Sequence, residues 1–202
     1  MPSTFVNDRC ARRYTAAHNS WPSAVIKTFT EPSDGNVYRR LNDGMREHRH
    51  HTDECKAIVF DAWHPMVHSL LTGLQKLPAM TGDVWRGITA NLEKLRGDYK
   101  PSSTVSWSAF TSTTTSLDSA FLLGAASLAN AGLSIVVFKI AAVSLRDVRH
   151  YSIFGHEQEL LLLPYTEFVV VRVFKVFPEA AGPGGCLCVE LVERQMTDVY
   201  ES

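Results

Sequence analysis

Two glutamates two residues apart, Glu157 and Glu159, are the side chains of this chain best suited to chemistry. They stand directly before the apolar run Leu160–Leu163, which predicts a strand that enters the core. In an extended segment, residues i and i+2 share a face, so the two carboxylates would lie side by side. Like charges held close repel, and such a pair is either well solvated or engaged with a cationic group. The alternative to a functional pair is a solvated acidic turn before a strand.

A second candidate is Arg86, which lies in a short predicted strand, residues 83–88, and is followed by Gly87. A guanidinium cannot lose its charge and needs a partner when it stands among apolar residues. A phosphate would accept two hydrogen bonds from it, and glycine would let a ligand approach the backbone. The alternative is an internal salt bridge.

The third candidate is a run of six hydroxyl side chains, residues 111–116, behind Phe110. Hydroxyl groups both donate and accept hydrogen bonds, so they can orient a carboxylate and a ribose together. The alternative is a capping turn in which Ser116 begins the following helix.

One cluster has residue types that bind metals: His48, His50, His51 and Cys55. No second ligand pair at a defined spacing supports it, so a solvated polar helix end is the preferred interpretation and no metal is predicted.

Cys186 and Cys188 would share one face of a strand and suit packing there. The four cysteines contain no CxxC pair, which favours a reducing compartment.

Composition and charge bound the possible partners. The chain has 202 residues, of which 45% are hydrophobic, and its net charge is −1. This suits one globular domain, or one domain with a helical extension, and gives no basic field for nucleic acid. No apolar run has transmembrane length, and the first 13 residues lack the apolar region of a secretory signal. We therefore expect a monomer without nucleic-acid or membrane partners, either cytoplasmic or delivered by a route without a cleavable signal peptide.

The elements that must position these side chains are helices first and mostly strands later, which predicts an α+β fold with a sandwich-like sheet core. Helical spacing of apolar residues begins at Val37, a second helix is expected from about Asp53 to Trp63, and a third from Pro65 to about Leu77. A later helix, residues 117–130, interrupts a series of predicted strands, residues 83–88, 105–110, 134–140, 160–163, 168–176 and 187–192.

Taken together, the three motifs resemble the R-S-E class of mono-ADP-ribosyltransferases, the cholera-toxin-like group with arginine-specific members. Val84–Gly87 is similar to the arginine strand of that class, where tyrosine is commoner than Trp85. Trp107–Thr114 is similar to its aromatic and Ser-Thr-Ser motif, with Thr114 replacing the second serine. Ser152–Pro164 is similar to its substrate-recognition loop, Glu-x-Glu motif and following strand.

The resemblance extends from about Tyr38 to about Val192 and implies a domain organisation. Residues 1–35 would be an extension of unknown role, and residues 36–202 the ADP-ribosyltransferase catalytic domain. Within that domain a helical subregion, residues 36–80, would lead into a β core, residues 81–202. The implied core is a two-sheet β-sandwich that binds NAD in a cleft between the sheets.

The resemblance also implies roles for residues of the NAD site. Arg86 would hold the pyrophosphate of NAD, with Gly87 beside it. Ser112 would brace the catalytic carboxylate and the nicotinamide ribose, and Thr113 would support the neighbouring strand. Glu159 would be the catalytic glutamate, which stabilises the cation that forms when nicotinamide leaves.

On the acceptor side, the resemblance implies that Glu157 binds the guanidinium of a target arginine and helps to remove its proton. Phe154 and Tyr151 are candidates for packing against the incoming protein; ordinary loop packing is their alternative. The implied activity is transfer of ADP-ribose from NAD to arginine side chains of proteins, without a metal. One alternative is an NAD glycohydrolase with water as main acceptor. The less favoured one is a non-enzymatic binding module, which only Trp85 and Thr114 support.

Overall fold

The computed structural model describes residues 37–47, 53–126, 133–150, 159–179, 181 and 185–194. The chain divides into two compact units, one formed by residues 1–78 and 148–156 and the other by residues 79–147 and 157–202. The proposed extension, residues 1–35, lies outside the described residues, so its role stays a prediction.

The first unit contains two helices, α1 (Val37–Glu47) and α2 (Asp53–Gln75). The sequence predicted two helices divided near Pro65 in place of α2, and this was wrong, because α2 continues through Pro65. A proline inside a helix costs about 3 kcal/mol. Burial of Leu70 and Leu74 behind it, at roughly 1.5–3 kcal/mol for each side chain, offsets that cost.

The second unit is built on a sheet of seven strands, so the predicted α+β class with a sheet core is confirmed. The strands are β1 (Ala79–Ala90), β2 (Thr104–Trp107), β3 (Thr111–Thr113), β4 (Ser134–Asp147), β5 (Leu160–Leu162), β6 (Thr166–Val176) and β7 (Cys186–Glu193). Their order is β2-β6-β7-β4-β5-β3, with β1 paired to β4. The β4–β7 pair is parallel and the other pairs are antiparallel.

Two helices accompany this sheet, α3 (Leu92–Asp98) and α4 (Leu117–Ala126). Helix α3 was not predicted, although the sequence contains its capping residue: the side chain of Asn91 accepts hydrogen bonds from the backbone N–H groups of Glu93 and Lys94. The predicted cap of α4 is observed, since Oγ of Ser116 accepts from the N–H of Ser119 at 3.2 Å. None of the helices described has both the length and the apolar composition needed to cross a membrane.

β4 organises the sheet because it is long enough to pair with different strands at its two ends. Its first half, Val136–Ala141, pairs with β7, and its end, Arg146 and Asp147, pairs with β5. β1 runs along most of its other edge. The resemblance implied two sheets; in the structure, β4 joins the strands into one hydrogen-bonded sheet.

A bulge marks the point where β4 changes partner from β7 to β5. The register between β1 and β4 shifts from Gly82 opposite Ala142 to Met80 opposite Leu145. The backbone N–H groups of Val143 and Ser144, at the bulge, donate to the buried carboxylate of Glu193 at 2.6 and 3.0 Å. Bulges bend a strand and increase its twist, so Glu193 stabilises the bend that sends β4 towards β5.

Replacing Glu193 with alanine should lower the free energy of unfolding by about 2–4 kcal/mol, because two backbone donors would lose a charged acceptor inside the protein. Chemical denaturation of the variant and the wild-type protein measures this difference. Glu167→Ala is the matched control, since the exposed carboxylate of Glu167 makes a 3.3 Å surface pair with Arg194 and should contribute only about 0.2–1 kcal/mol. Equal stabilities of the two variants would contradict the role given to Glu193.

The main core lies on one face of this sheet. Phe138 of β4 and Phe168 of β6 are almost completely buried, and the ring of Trp107 contacts both at centroid distances of 5.1 and 4.8 Å. The predicted strand 105–110 is shorter than expected, because β2 ends at Trp107. Ala109 and Phe110 are buried but do not lie in a strand. Their apolar side chains therefore reflect burial in the core, and they extended the predicted strand beyond its true end.

Cys186 and Cys188 form a second buried cluster with Val137, and neither takes part in a disulfide. Burial raises the pKa of Cys186 to about 11 and that of Cys188 to about 12. Both thiols therefore stay protonated at neutral pH and act as small apolar side chains.

Candidate active site

Arg86, on β1, reaches across to β3. Its Nη1 atom donates a hydrogen bond to the backbone carbonyl of Ser112 at 2.9 Å. The alternative of an internal salt bridge is not observed, since Arg86 forms no ion pair with any described residue. The guanidinium keeps donors that can bind an anion, because one bond to a neutral carbonyl leaves its charge uncompensated.

Ser112 connects the arginine to the candidate catalytic carboxylate. Its Oγ donates a hydrogen bond to Oε1 of Glu159 at 2.5 Å. Ser112 lies on β3, opposite Leu161 of β5, and Glu159 directly precedes β5. Pairing of β3 with β5 therefore brings together residues 47 positions apart in the chain.

Thr113 fixes that pairing from the other face of β3. Its buried Oγ1 donates to the backbone carbonyl of Leu160 at 2.7 Å. Because Leu160 follows Glu159, this hydrogen bond fixes the register of the start of β5 relative to β3. The structure thus places Thr113 where it orients the strand that carries the carboxylate.

The two residues that depart from the family pattern, Trp85 and Thr114, lie opposite each other. Their backbones exchange two hydrogen bonds, from Trp85 N to the Thr114 carbonyl at 2.7 Å and from Thr114 N to the Trp85 carbonyl at 2.8 Å. This isolated bridge connects β1 to the end of β3 one residue from Arg86. Since it uses backbone atoms, the departures leave the contacts of Arg86 and Ser112 in place.

Gly87 packs closely against α4. A Cβ atom on this residue would lie 1.7 Å from the backbone oxygen of Ala120 and 3.0 Å from the backbone nitrogen of Gly124. The space beside Gly87 is therefore filled by α4, and glycine is required for close packing of that helix on β1. This packing explains the glycine on the side of α4, and the expected role of Gly87 in binding NAD stays a prediction. The signal that could have revealed this packing is the pair of small residues, Ala120 and Gly124, one helical turn apart.

Several predicted residues lie outside the described part of the chain. Glu157, Phe154 and Tyr151 are among them, so their roles stay predictions. The cluster with metal-binding residue types also lies outside the described part. This holds for His48, His50 and His51, and for the side chain of Cys55. Among the residues that are described, no group of three or more His, Cys, Asp or Glu side chains could hold a metal ion.

The described residues combine a guanidinium that has no ion pair among them with a carboxylate oriented by a hydrogen bond. The guanidinium of Arg86 can bind a phosphate through two hydrogen bonds. The carboxylate of Glu159, held by Ser112, can stabilise a positive charge that develops on a bound sugar. This arrangement suits cleavage of a glycosidic bond in a phosphorylated nucleoside.

A family model described as NAD:arginine ADP-ribosyltransferase matches residues 24–179. No curated protein matches the chain.

Solved structures of similar fold include several ADP-ribosyltransferases. Vis, from Vibrio splendidus, in complex with agmatine, is 16% identical with a TM-score of 0.68, and the match covers 100% of this chain and 92% of Vis. HopU1 of Pseudomonas syringae pv. Tomato DC3000 is 21% identical with a TM-score of 0.63, over 93% of this chain and 83% of HopU1. The C3 exoenzyme of Clostridium limosum is 12% identical with a TM-score of 0.60, over 92% and 91%. At these identities the likeness establishes the fold.

Proposed function

The chain belongs to the NAD:arginine ADP-ribosyltransferase family, and from this premise we propose that it transfers ADP-ribose from NAD to arginine side chains of proteins and releases nicotinamide. The observation that carries the proposal is the hydrogen bond from Ser112 to Glu159, made beside the guanidinium of Arg86. It joins the three motif residues of the R-S-E class within one sheet.

The donor half of the reaction uses these described residues. Arg86 binds the pyrophosphate of NAD, and Ser112 keeps the Glu159 carboxylate directed at the nicotinamide ribose. The bond between C1′ and the nicotinamide nitrogen breaks, and its electron pair leaves with nicotinamide. The ribose then carries an oxocarbenium-like charge, which the fixed carboxylate stabilises as it develops.

The acceptor half of the reaction belongs to Glu157. Its carboxylate matches a guanidinium in fork geometry and takes the proton that the attacking nitrogen loses as the new bond to C1′ forms. Phe154 and Tyr151 pack against the acceptor. An acceptor with a guanidinium is supported by the match to Vis, which was solved in complex with agmatine, a small guanidine.

Glu157→Gln should reduce transfer of ADP-ribose to agmatine by about 10²–10⁴-fold, because glutamine can neither pair with the guanidinium charge nor accept its proton. Hydrolysis of NAD by water should stay close to the wild-type rate, since Glu159 and Ser112 are unchanged. Labelled NAD with and without agmatine separates the two activities in one assay. Equal loss of both would contradict the division of roles between the glutamates.

A second candidate function is NAD glycohydrolase activity, in which water is the main acceptor. It uses the same donor half of the reaction, through Arg86, Ser112 and Glu159, and requires no group that binds a guanidinium. Release of nicotinamide that agmatine does not accelerate, with no ADP-ribosylated agmatine formed, would favour this function over the transferase. Nicotinamide release of either kind would exclude a binding module without catalytic activity.

A further inference from the structure

Two histidines of α2, His64 and His68, stand one helical turn apart and are exposed. Their imidazole rings lie over each other, with centroids 6.3 Å apart and ring planes inclined by 20°. Leu70 and Leu74, on the other side of the helix, are completely buried. Packing of that apolar side therefore fixes the orientation of α2 and presents the two imidazoles together on its exposed face.

This spacing and this residue type suit a transition metal ion. Imidazole is the commonest metal ligand among side chains, and two histidines at positions i and i+4 of one helix face can bind the same zinc ion. Bonds of about 2.0–2.1 Å from metal to nitrogen place the two bound nitrogens roughly 3 Å apart. Rotation of the exposed rings about their side-chain bonds gives that separation, and water completes the coordination. The alternative is a solvated helix face that binds no metal.

Pro65, between the two histidines, gives metal binding a consequence for the helix. Proline has no N–H group, so α2 lacks one backbone hydrogen bond at this turn. A metal ion held by both imidazoles requires residues 64–68 to be helical, and a ligand that binds only the folded form stabilises it. We propose that His64 and His68 form a binding site for a divalent transition metal ion of the zinc, nickel and copper class, and that the bound ion stabilises α2 at Pro65. This site is additional to the proposed function and does not depend on it.

The test measures binding of Zn²⁺ to the full chain by calorimetry and its effect on thermal unfolding by circular dichroism. Excess Zn²⁺ should raise the unfolding temperature of the wild-type protein by roughly 2–5 °C. In a double variant, His64→Gln with His68→Gln, this increase should disappear and the affinity for Zn²⁺ should fall at least about 10-fold. The unfolding temperature without metal should stay near the wild-type value, because both side chains are exposed. Mg²⁺, which prefers oxygen ligands, should have no effect on either protein.

His150→Gln is the matched control, because His150 is an exposed histidine outside α2 with no second histidine four residues away. This variant should keep the wild-type affinity for Zn²⁺ and the wild-type increase in unfolding temperature. An increase of wild-type size in the double variant would overturn the inference, since the metal would then bind elsewhere in the chain. So would a wild-type protein on which Zn²⁺ has no effect. Nicotinamide release, measured without added metal, tests the proposed function separately and should be equal in the wild-type protein and the double variant.

Discussion

Glu159→Gln should reduce NAD turnover by about 10²–10⁴-fold, with and without an arginine-like acceptor. The substitution keeps an oxygen that can accept the hydrogen bond from Ser112, so the local geometry has no reason to change. What it removes is the negative charge that stabilises the ribose cation, and that charge acts only as the transition state forms. Nicotinamide release measured by chromatography, with and without agmatine, gives both rates.

The comparison with Glu157→Gln makes this result specific. Both substitutions remove one carboxylate from the same acidic pair, but only the loss of Glu159 should stop hydrolysis. Affinity for ADP-ribose should stay near the wild-type value in Glu159→Gln, because Arg86 is intact. Turnover within a few-fold of the wild-type rate in a folded Glu159→Gln protein would exclude Glu159 as the catalytic glutamate.

The elements of this site could be predicted from the sequence because each motif is short and local. An arginine in a strand, hydroxyls after an aromatic residue, and a Glu-x-Glu pair before an apolar run are all visible within a dozen residues. The contact from Ser112 to Glu159 then requires β3 to pair with β5, which periodicity does not show. Resemblance to a known family implied the contact between Ser112 and Glu159, and the structure contains that contact.

The features that could not be predicted depend on residues far apart in the chain. Glu193 binds the bulge in β4 from about 50 positions away, and nothing in the local sequence marks it as more than a surface glutamate. The helix boundary predicted at Pro65 was wrong because the local rule that proline ends a helix does not include the burial of the residues that follow it.

Gly87→Ala should be among the most destabilising substitutions in the sheet, with a loss of roughly 3 kcal/mol in the free energy of unfolding. The added methyl group would lie 1.7 Å from the backbone oxygen of Ala120 and 2.7 Å from its carbonyl carbon. Neither atom can rotate away as a side chain could, so α4 must move off β1 or β1 must shift in the sheet. Denaturant unfolding measures the loss.

Gly82→Ala is the control that isolates this clash. Gly82 lies on the same strand, but a Cβ atom there would meet nothing within 4 Å. Alanine should therefore be neutral or should stabilise the strand by about 0.5–1 kcal/mol, because it loses less backbone entropy on folding. If Gly87→Ala were as stable as Gly82→Ala, close packing of α4 could not be the reason for glycine. If it is destabilised as expected, NAD turnover should fall with it, since a shift of β1 at Gly87 also moves Arg86 away from the carbonyl of Ser112.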